Sequence, residues 1–203
     1  MSDTVDVDLL LVQKAQKGDS RAFDLLVLKY QHKVASVVSR LVFEPDAIED
    51  IVQESFIKAY RALHNFRGDS AFFTWIYRIA TNTAKNHLEG MRRKPSYRGQ
   101  DIDDVGHFDM PDKLREQDTP DGLLARAQLE DHLQQALRAL PEDLRVALTL
   151  REFDGMSYQD ISEIMDTPIG TVRSRIFRAR EAIENELHQV MSGLGRRDQL
   201  ESV

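Results

Sequence analysis

The sequence predicts an all-α protein of two small helical domains joined by a flexible linker. Three observations predict it. Apolar residues recur every three or four positions through both halves, and no alternating run of strand length stands out. Between about 91 and 121 that periodicity dissolves into prolines, glycines and charge. Toward the C-terminal end, a short apolar-striped helix, a tight turn and an arginine-studded helix follow one another as a helix-turn-helix does.

The elements follow in order. Residues 8–17 read as a short helix closed by Gly18. Asp19 or Ser20 then caps a longer helix with Phe23, Leu26, Val27, Tyr30, Val34, Val37, Val38 and Leu41 on one face. Pro45 punctuates, and the next helix buries Ile48, Ile51, Val52, Phe56, Ala59 and Tyr60. Gly68 breaks the chain, and a fourth helix is expected from near Ser70. After the linker a helical pattern resumes at Leu123 and stops at Pro141, which opens a helix over 141–152. Ser157 with Asp160 resembles a capping box, Thr167 can cap the last helix, and Ile169, Val172, Ile176, Ala179, Ile183 and Leu187 make its apolar stripe. The predicted boundaries are a first domain at 1–92, a linker at 93–124, a second domain at 125–190 with the helix-turn-helix at about 157–180, and a tail at 191–203.

Composition narrows the function. The 203 residues carry a formal charge of −7, so this is no basic nucleic-acid coat. There is no cysteine, which excludes disulfides, cysteine-based zinc sites and a cysteine nucleophile. The N-terminus reads as neither signal nor transit peptide, and no run approaches the roughly 18 apolar residues of a membrane span. Charge is unevenly spread: net +6 over 61–100, −6 over 101–121 and +4 over 171–180. Two basic islands on an acidic chain predict weak binding to duplex DNA by the isolated protein, because phosphate neutralisation supplies most non-specific affinity.

Three surfaces are candidates for function. The helix after Pro45 turns Glu49, Asp50, Gln53 and Glu54 away from its core. Acids there suit the helix macrodipole, and they equally suit a basic partner; the residues leave both readings open. Of 15 aromatic residues, five (Phe66, Phe72, Phe73, Trp75 and Tyr77) crowd into positions 66–77. On the fourth helix Phe72, Ile76, Ile79, Ala80 and Thr83 form the buried stripe. Trp75, Arg78, Asn82 and Asn86 align along its edge, with Lys85 beside them. Amides read base edges, cations hold phosphates and aromatics stack on unpaired bases, so this edge suits a single strand. On the last helix the face opposite the stripe carries Gly170, Thr171, Ser174, Phe177 and Arg178, flanked by Arg173 and Arg175. Arginine takes guanine bidentately in a major groove, and threonine or phenylalanine meets thymine methyls.

The segments "DAIEDIVQESFIKAYRALHNFRGDSAFFTWIYRIATNTAKNHL" and "LPEDLRVALTLREFDGMSYQDISEIMDTPIGTVRSRIFRAREAI" closely resemble bacterial extracytoplasmic-function (ECF) sigma factors of the sigma-E or alginate-regulator type. The resemblance covers nearly the whole chain. It implies sigma domain two over about 20–92 and sigma domain four over 125–190. Asp50, Gln53 and Glu54 then match the motif that docks on the clamp helices of the polymerase's largest subunit. The stretch from Phe66 through Asn86 matches the part that opens and reads the −10 element, where a base is flipped into a pocket. Phe66 becomes a candidate wall of that pocket, with Trp75, Arg78, Asn82, Lys85 and Asn86 along the captured strand. Thr171, Arg173, Ser174, Arg175, Phe177 and Arg178 fall on the helix that reads the −35 duplex. Further implications are contact with the polymerase flap region, an anti-sigma factor anchored in the inner membrane, a monomeric free state and a cytoplasmic location.

Two other functions fit less well. A dimeric helix-turn-helix regulator calls for a sensor or dimerisation domain, which 1–92 does not resemble. An enzyme acting on nucleic acid calls for a metal or phosphate site. The six histidines show no HExxH or paired ligand spacing, and there is no glycine-rich phosphate loop. No cofactor, metal or catalytic residue is expected.

Overall fold

The computed structural model describes residues 6–93 and 131–200, the stretch 189–200 as backbone only. The first half folds as α1 (Val7–Gln16), α2 (Ser20–Leu41), α3 (Pro45–Ala62), a 3₁₀ turn (Leu63–Asn65) and α4 (Phe72–Arg92). The second half holds α5 (131–139), α6 (Glu142–Glu152), α7 (Tyr158–Met165) and α8 (Ile169–Leu200). No strand occurs among the described residues. Almost all of the expected linker, 94–124, lies outside them.

Local chemistry sets the breaks. Gly18 takes a φ of +96°, a left-handed conformation that reverses the chain cheaply only at glycine. Asp19 then caps α2 by accepting from the Arg21 N–H at 3.1 Å. Pro45 occupies the first turn of α3, where its missing N–H removes nothing. α4 starts at Phe72, two residues later than the pattern suggests. Gly68 at φ +79° and the bend through Ser70 keep the chain out of helix until an extended Ala71.

The core of the first half is the facing apolar stripes of these helices. Leu26, Val34, Val37 and Val38 of α2, Ile51 and Ala59 of α3, and Ile76, Ala80 and Ala84 of α4 are buried. Three hydroxyls caught inside, those of Ser55, Thr81 and Thr83, bond back to their own helix. Ser55 donates to the Ile51 carbonyl at 2.6 Å and Thr83 to the Ile79 carbonyl at 2.8 Å. Ile76 is fully enclosed, and truncating it to alanine would cost about 2–5 kcal/mol.

The second half packs α6 and α8 around Val146, Leu150, Val172, Ile176 and Ala179. Its turn is closely tied. Asp166 ends α7 in the left-handed region at φ 49°, and Ser162 secures both sides of the bend. The Ser162 carbonyl accepts from the Thr167 N–H at 3.0 Å, and its hydroxyl donates to the Thr167 carbonyl at 2.6 Å. The capping box at Ser157 and Asp160 forms as expected. Thr167, expected to cap α8, instead donates its hydroxyl to the Met165 carbonyl. Helical backbone continues to Leu200, into the segment expected as tail.

The two halves are in contact. Their buried side chains form one continuous cluster. α4 lies against α7, and α2 against α6. Arg138 and Arg145 stack on Phe43 at 4.6 and 5.0 Å, and Arg40 stacks on Phe153 at 4.7 Å.

Candidate nucleic-acid interface

Helical periodicity divides α4 as it should. Phe72 and Ile76 are buried, Trp75 is half-buried, and Arg78, Asn82 and Asn86 are exposed along one edge. Phe66 is 9% exposed and packs edge-on to Phe72 and at a tilt to Trp75, with ring centroids 6.1 and 5.0 Å apart. It stands in the core beneath the edge. The loop after it is held from α1: Gln16 Nε2 donates to the Leu63 carbonyl at 2.9 Å and the Phe66 carbonyl at 2.8 Å.

A cleft of about 600 Å³ opens beside this edge. Asp69, Ser70, Thr74, Trp75 and Arg78 line one side. The Thr74 hydroxyl is buried with no hydrogen-bond partner. The other side is the turn of the helix-turn-helix, from Ser162 to Pro168.

On α8 the apolar stripe is inside, and Thr171, Arg173, Ser174, Phe177 and Arg178 are exposed. Phe177 is 67% exposed, a bare aromatic ring among arginines. Arg175 differs from its neighbours. Its guanidinium turns inward, donating to the Thr167 hydroxyl at 3.2 Å and to Asp143 Oδ2 at 2.7 Å.

On α3, Glu49, Asp50, Gln53 and Glu54 are exposed. Glu49 and Gln53 border a second groove of about 600 Å³, whose apolar floor includes Phe23, Val27, Val52, Phe56 and Tyr60. A third groove lies between α5, α6 and α8, lined by Leu137, Leu148, Phe153, Ile183 and Leu187. Among the described residues no group of three or more His, Asp or Glu is placed to hold a metal ion. No described helix is long and apolar enough to cross a membrane.

Comparison with known proteins identifies this architecture. Residues 26–94 match Sigma-70 region 2, and residues 131–183 match Sigma-70, region 4. The chain is 54% identical to the ECF RNA polymerase sigma-E factor of Escherichia coli K12, over 91% of its own length and 96% of that protein's. It is 52% identical to the RNA polymerase sigma-H factor of Pseudomonas aeruginosa, over 93% and 97% of the two chains. The chain belongs to the ECF sigma factors. The fold of this sigma factor recurs in CnrH, solved with the cytosolic domain of CnrY, at a TM-score of 0.67 and 23% identity over 91% of this chain and 99% of that one. It recurs again in the sigma factor RpoE of Bartonella quintana, solved with the anti-sigma factor NepR. There the TM-score is 0.61 at 24% identity, over 82% and 96% of the chains.

Within this sigma factor the two candidate DNA faces are joined through one acid. Asp143, at the start of α6, accepts from Lys85 Nζ at 2.7 Å with one oxygen and from Arg175 with the other. The hydrogen bond from Lys85, reinforced by the charges of Lys85 and Arg175, holds the Asp143 carboxyl below its ordinary range despite partial burial. Around it Arg92 faces Glu142 at 3.6 Å and Arg78 faces Asp166 at 4.0 Å. Asp154 is the opposite case. Burial outweighs the favourable charges of Arg40 and Lys33 and the Tyr77 hydroxyl, and raises its carboxyl to about 6.

Sequence reasoning found the exposed edges and missed Gln16, Asp143 and Asp154. An acid in a first helical turn reads as a dipole partner, and nothing local announces a lysine 58 positions away. A glutamine among the polar positions of α1 gives no signal of the loop it holds.

Proposed function

We propose that this sigma factor directs core RNA polymerase to stress-response promoters by reading the −35 element as duplex and capturing the −10 element as a melted strand. The supporting observation is the division of α4 and α8. Each buries a continuous apolar stripe and exposes cations, amides or an aromatic on the opposite margin. On α4, Trp75, Arg78, Asn82, Lys85 and Asn86 serve the strand, with the loop carried by Phe66 closing the base site. On α8, Thr171, Arg173, Ser174, Phe177 and Arg178 meet the groove, and Arg175 joins them once released from Asp143. Melting costs unstacking energy, which capture of an extruded base offsets.

Asp50, Gln53 and Glu54 dock on the clamp helices of the polymerase's largest subunit, with the apolar groove beside Glu49 and Gln53 as the adjoining contact. The α5–α6–α8 groove suits the flap region. The protein supplies recognition, and the polymerase supplies the chemistry. Control by an anti-sigma factor is in keeping with the one named in the complex of the Bartonella quintana protein; its anchoring in the inner membrane, holding this factor inactive in the cytoplasm, is part of the proposal. Free, it is a monomer. Run-off transcription with purified core polymerase on promoter fragments tests the proposal; no transcript from any genomic promoter would sink it.

A further inference from the structure

We infer that α1 is the strut that sets base selectivity at the captured −10 position, with Gln16 and Leu9 as positioning residues that hold the loop after Phe66 in place. The inference rests on the reading of α4 and that loop as the strand-capturing edge.

Leu9 and Gln16 lie seven positions apart, two helical turns, so both side chains leave α1 along one edge. α1 packs against the 3₁₀ turn from which the loop departs. Gln16 spends both hydrogens of its amide there, one on the Leu63 carbonyl and one on the Phe66 carbonyl. Leu9 meets the loop two residues farther on. Its Cδ1 lies 3.5 Å from where a Cβ would stand on Gly68. Gly68 is left-handed at φ +79°, so the chain bends at the point that Leu9 covers. α1 thus supports the loop at its start and at its bend.

α1 is itself fixed. Val12 and Ala15 are buried, and Asp8 accepts from Lys29 Nζ at 2.5 Å and from the Tyr30 hydroxyl. The Tyr30 ring lies 5.6 Å from Phe72, where α4 begins. One end of the loop is therefore located by α1 and the other by α4.

The cargo of the loop makes its position matter. The loop brings Asp69 and Ser70 to the cleft, and α4 brings Thr74, Trp75 and Arg78. Arg78 and Lys85 stand on α4, whose place is set chiefly by α2 and α3. Phosphate contacts position a strand, and base contacts specify it. Loosening α1 displaces the loop groups that meet a base and leaves the cations that meet phosphate. Base discrimination then falls while the strand is still held, and activity on the preferred sequence sinks toward that on the others.

Trp75 is the only tryptophan of the chain and packs against Phe66 at 5.0 Å, so its emission reports the loop in the free full-length protein. Gln16→Met keeps the length of the side chain and removes both donors. Leu9→Ala acts at a residue 41% exposed, where the fold tolerates truncation. Lys14→Ala, exposed on the far side of α1 from that edge, is the control. Gln16→Met and Leu9→Ala should each move Trp75 emission to longer wavelength and increase its quenching by acrylamide; the control should do neither. Transcription with core polymerase is then measured on promoters in which each −10 base is varied in turn. Gln16→Met should lower the preference at the most selective −10 position by about tenfold. Leu9→Ala should lower it at the same position, and both should keep core binding and selectivity at −35. A uniform loss that preserves every base ratio, or emission identical to the parent's, overturns the strut. A parent that prefers no −10 base refutes the strand reading, and the emission then still decides whether α1 holds the loop.

Discussion

Gln16 and Phe66 are separated by 50 positions, yet the Gln16 side-chain amide donates to the Phe66 carbonyl at 2.8 Å while its other hydrogen reaches Leu63. One side chain of α1 thus ties down the turn from which the loop between Phe66 and α4 departs. The ring of Phe66 forms a three-ring cluster with Phe72 and Trp75, and Trp75 lines the cleft.

Replacing Gln16 with alanine removes a donor from two carbonyls, of which that of Leu63 keeps the Phe66 N–H at 3.0 Å. It should cost about 1–2 kcal/mol of stability. Its larger expected effect is on open-complex formation, with core binding retained. Permanganate footprinting of the melted region checks this. Normal opening by Gln16→Ala would show that the loop positions itself without α1.

Asn82 and Asn86 are exposed in mid-helix, where asparagine is a poor helix former. Alanine at both should leave thermal stability equal or slightly higher and reduce open-complex formation at least tenfold, the loss of about 1.4 kcal/mol or more of strand binding. Unchanged opening by both variants would remove them from the reading edge.

Arg173 and Arg178 are exposed beside Phe177 and should meet phosphate or guanine in the −35 duplex. Each alanine variant is expected to weaken the closed complex by about 1–3 kcal/mol if it loses a base contact. A phosphate contact instead lowers the salt slope by about one. Gel-shift titrations across salt distinguish the two, and no change in either affinity or slope would contradict the recognition-helix assignment.

Asp154 predicts a pH dependence of stability. Its folded pKa, about 6, stands above the unfolded value of 3.8, so between those values the folded chain holds the proton and the unfolded chain has lost it. This group's contribution therefore falls as pH rises from about 4 to about 6 and stays constant above. Asp154→Asn should remove that slope and stabilise the protein near pH 7 by on the order of 1 kcal/mol, discounted for partial exposure. Thermal melts of both proteins from pH 4 to 7.5 measure it; parallel curves would show that Asp154 titrates normally.

The helices, most of each buried stripe and the wet margins are legible in the sequence; Tyr60, expected on the buried face of α3, is instead 51% exposed at the groove it borders. Those properties follow from residue spacing along one helix and from local chemistry such as the Asp19 cap, Gly18 and the Ser157–Asp160 box. It also carried the family, because the residues of α3, α4 and α8 occur in a recognisable order. α4 starts two residues after the position its pattern suggests, because nothing in "GDSA" says where a bend ends. That Gln16 holds the loop after Phe66, that Arg175 turns inward while Arg173 and Arg178 stay exposed, and that Asp143 bridges Lys85 to Arg175 emerges only from the packing of the helices. Each of these depends on the distance between elements far apart in the chain. Helical periodicity orients a side chain about its own axis but says nothing of what another helix brings to meet it.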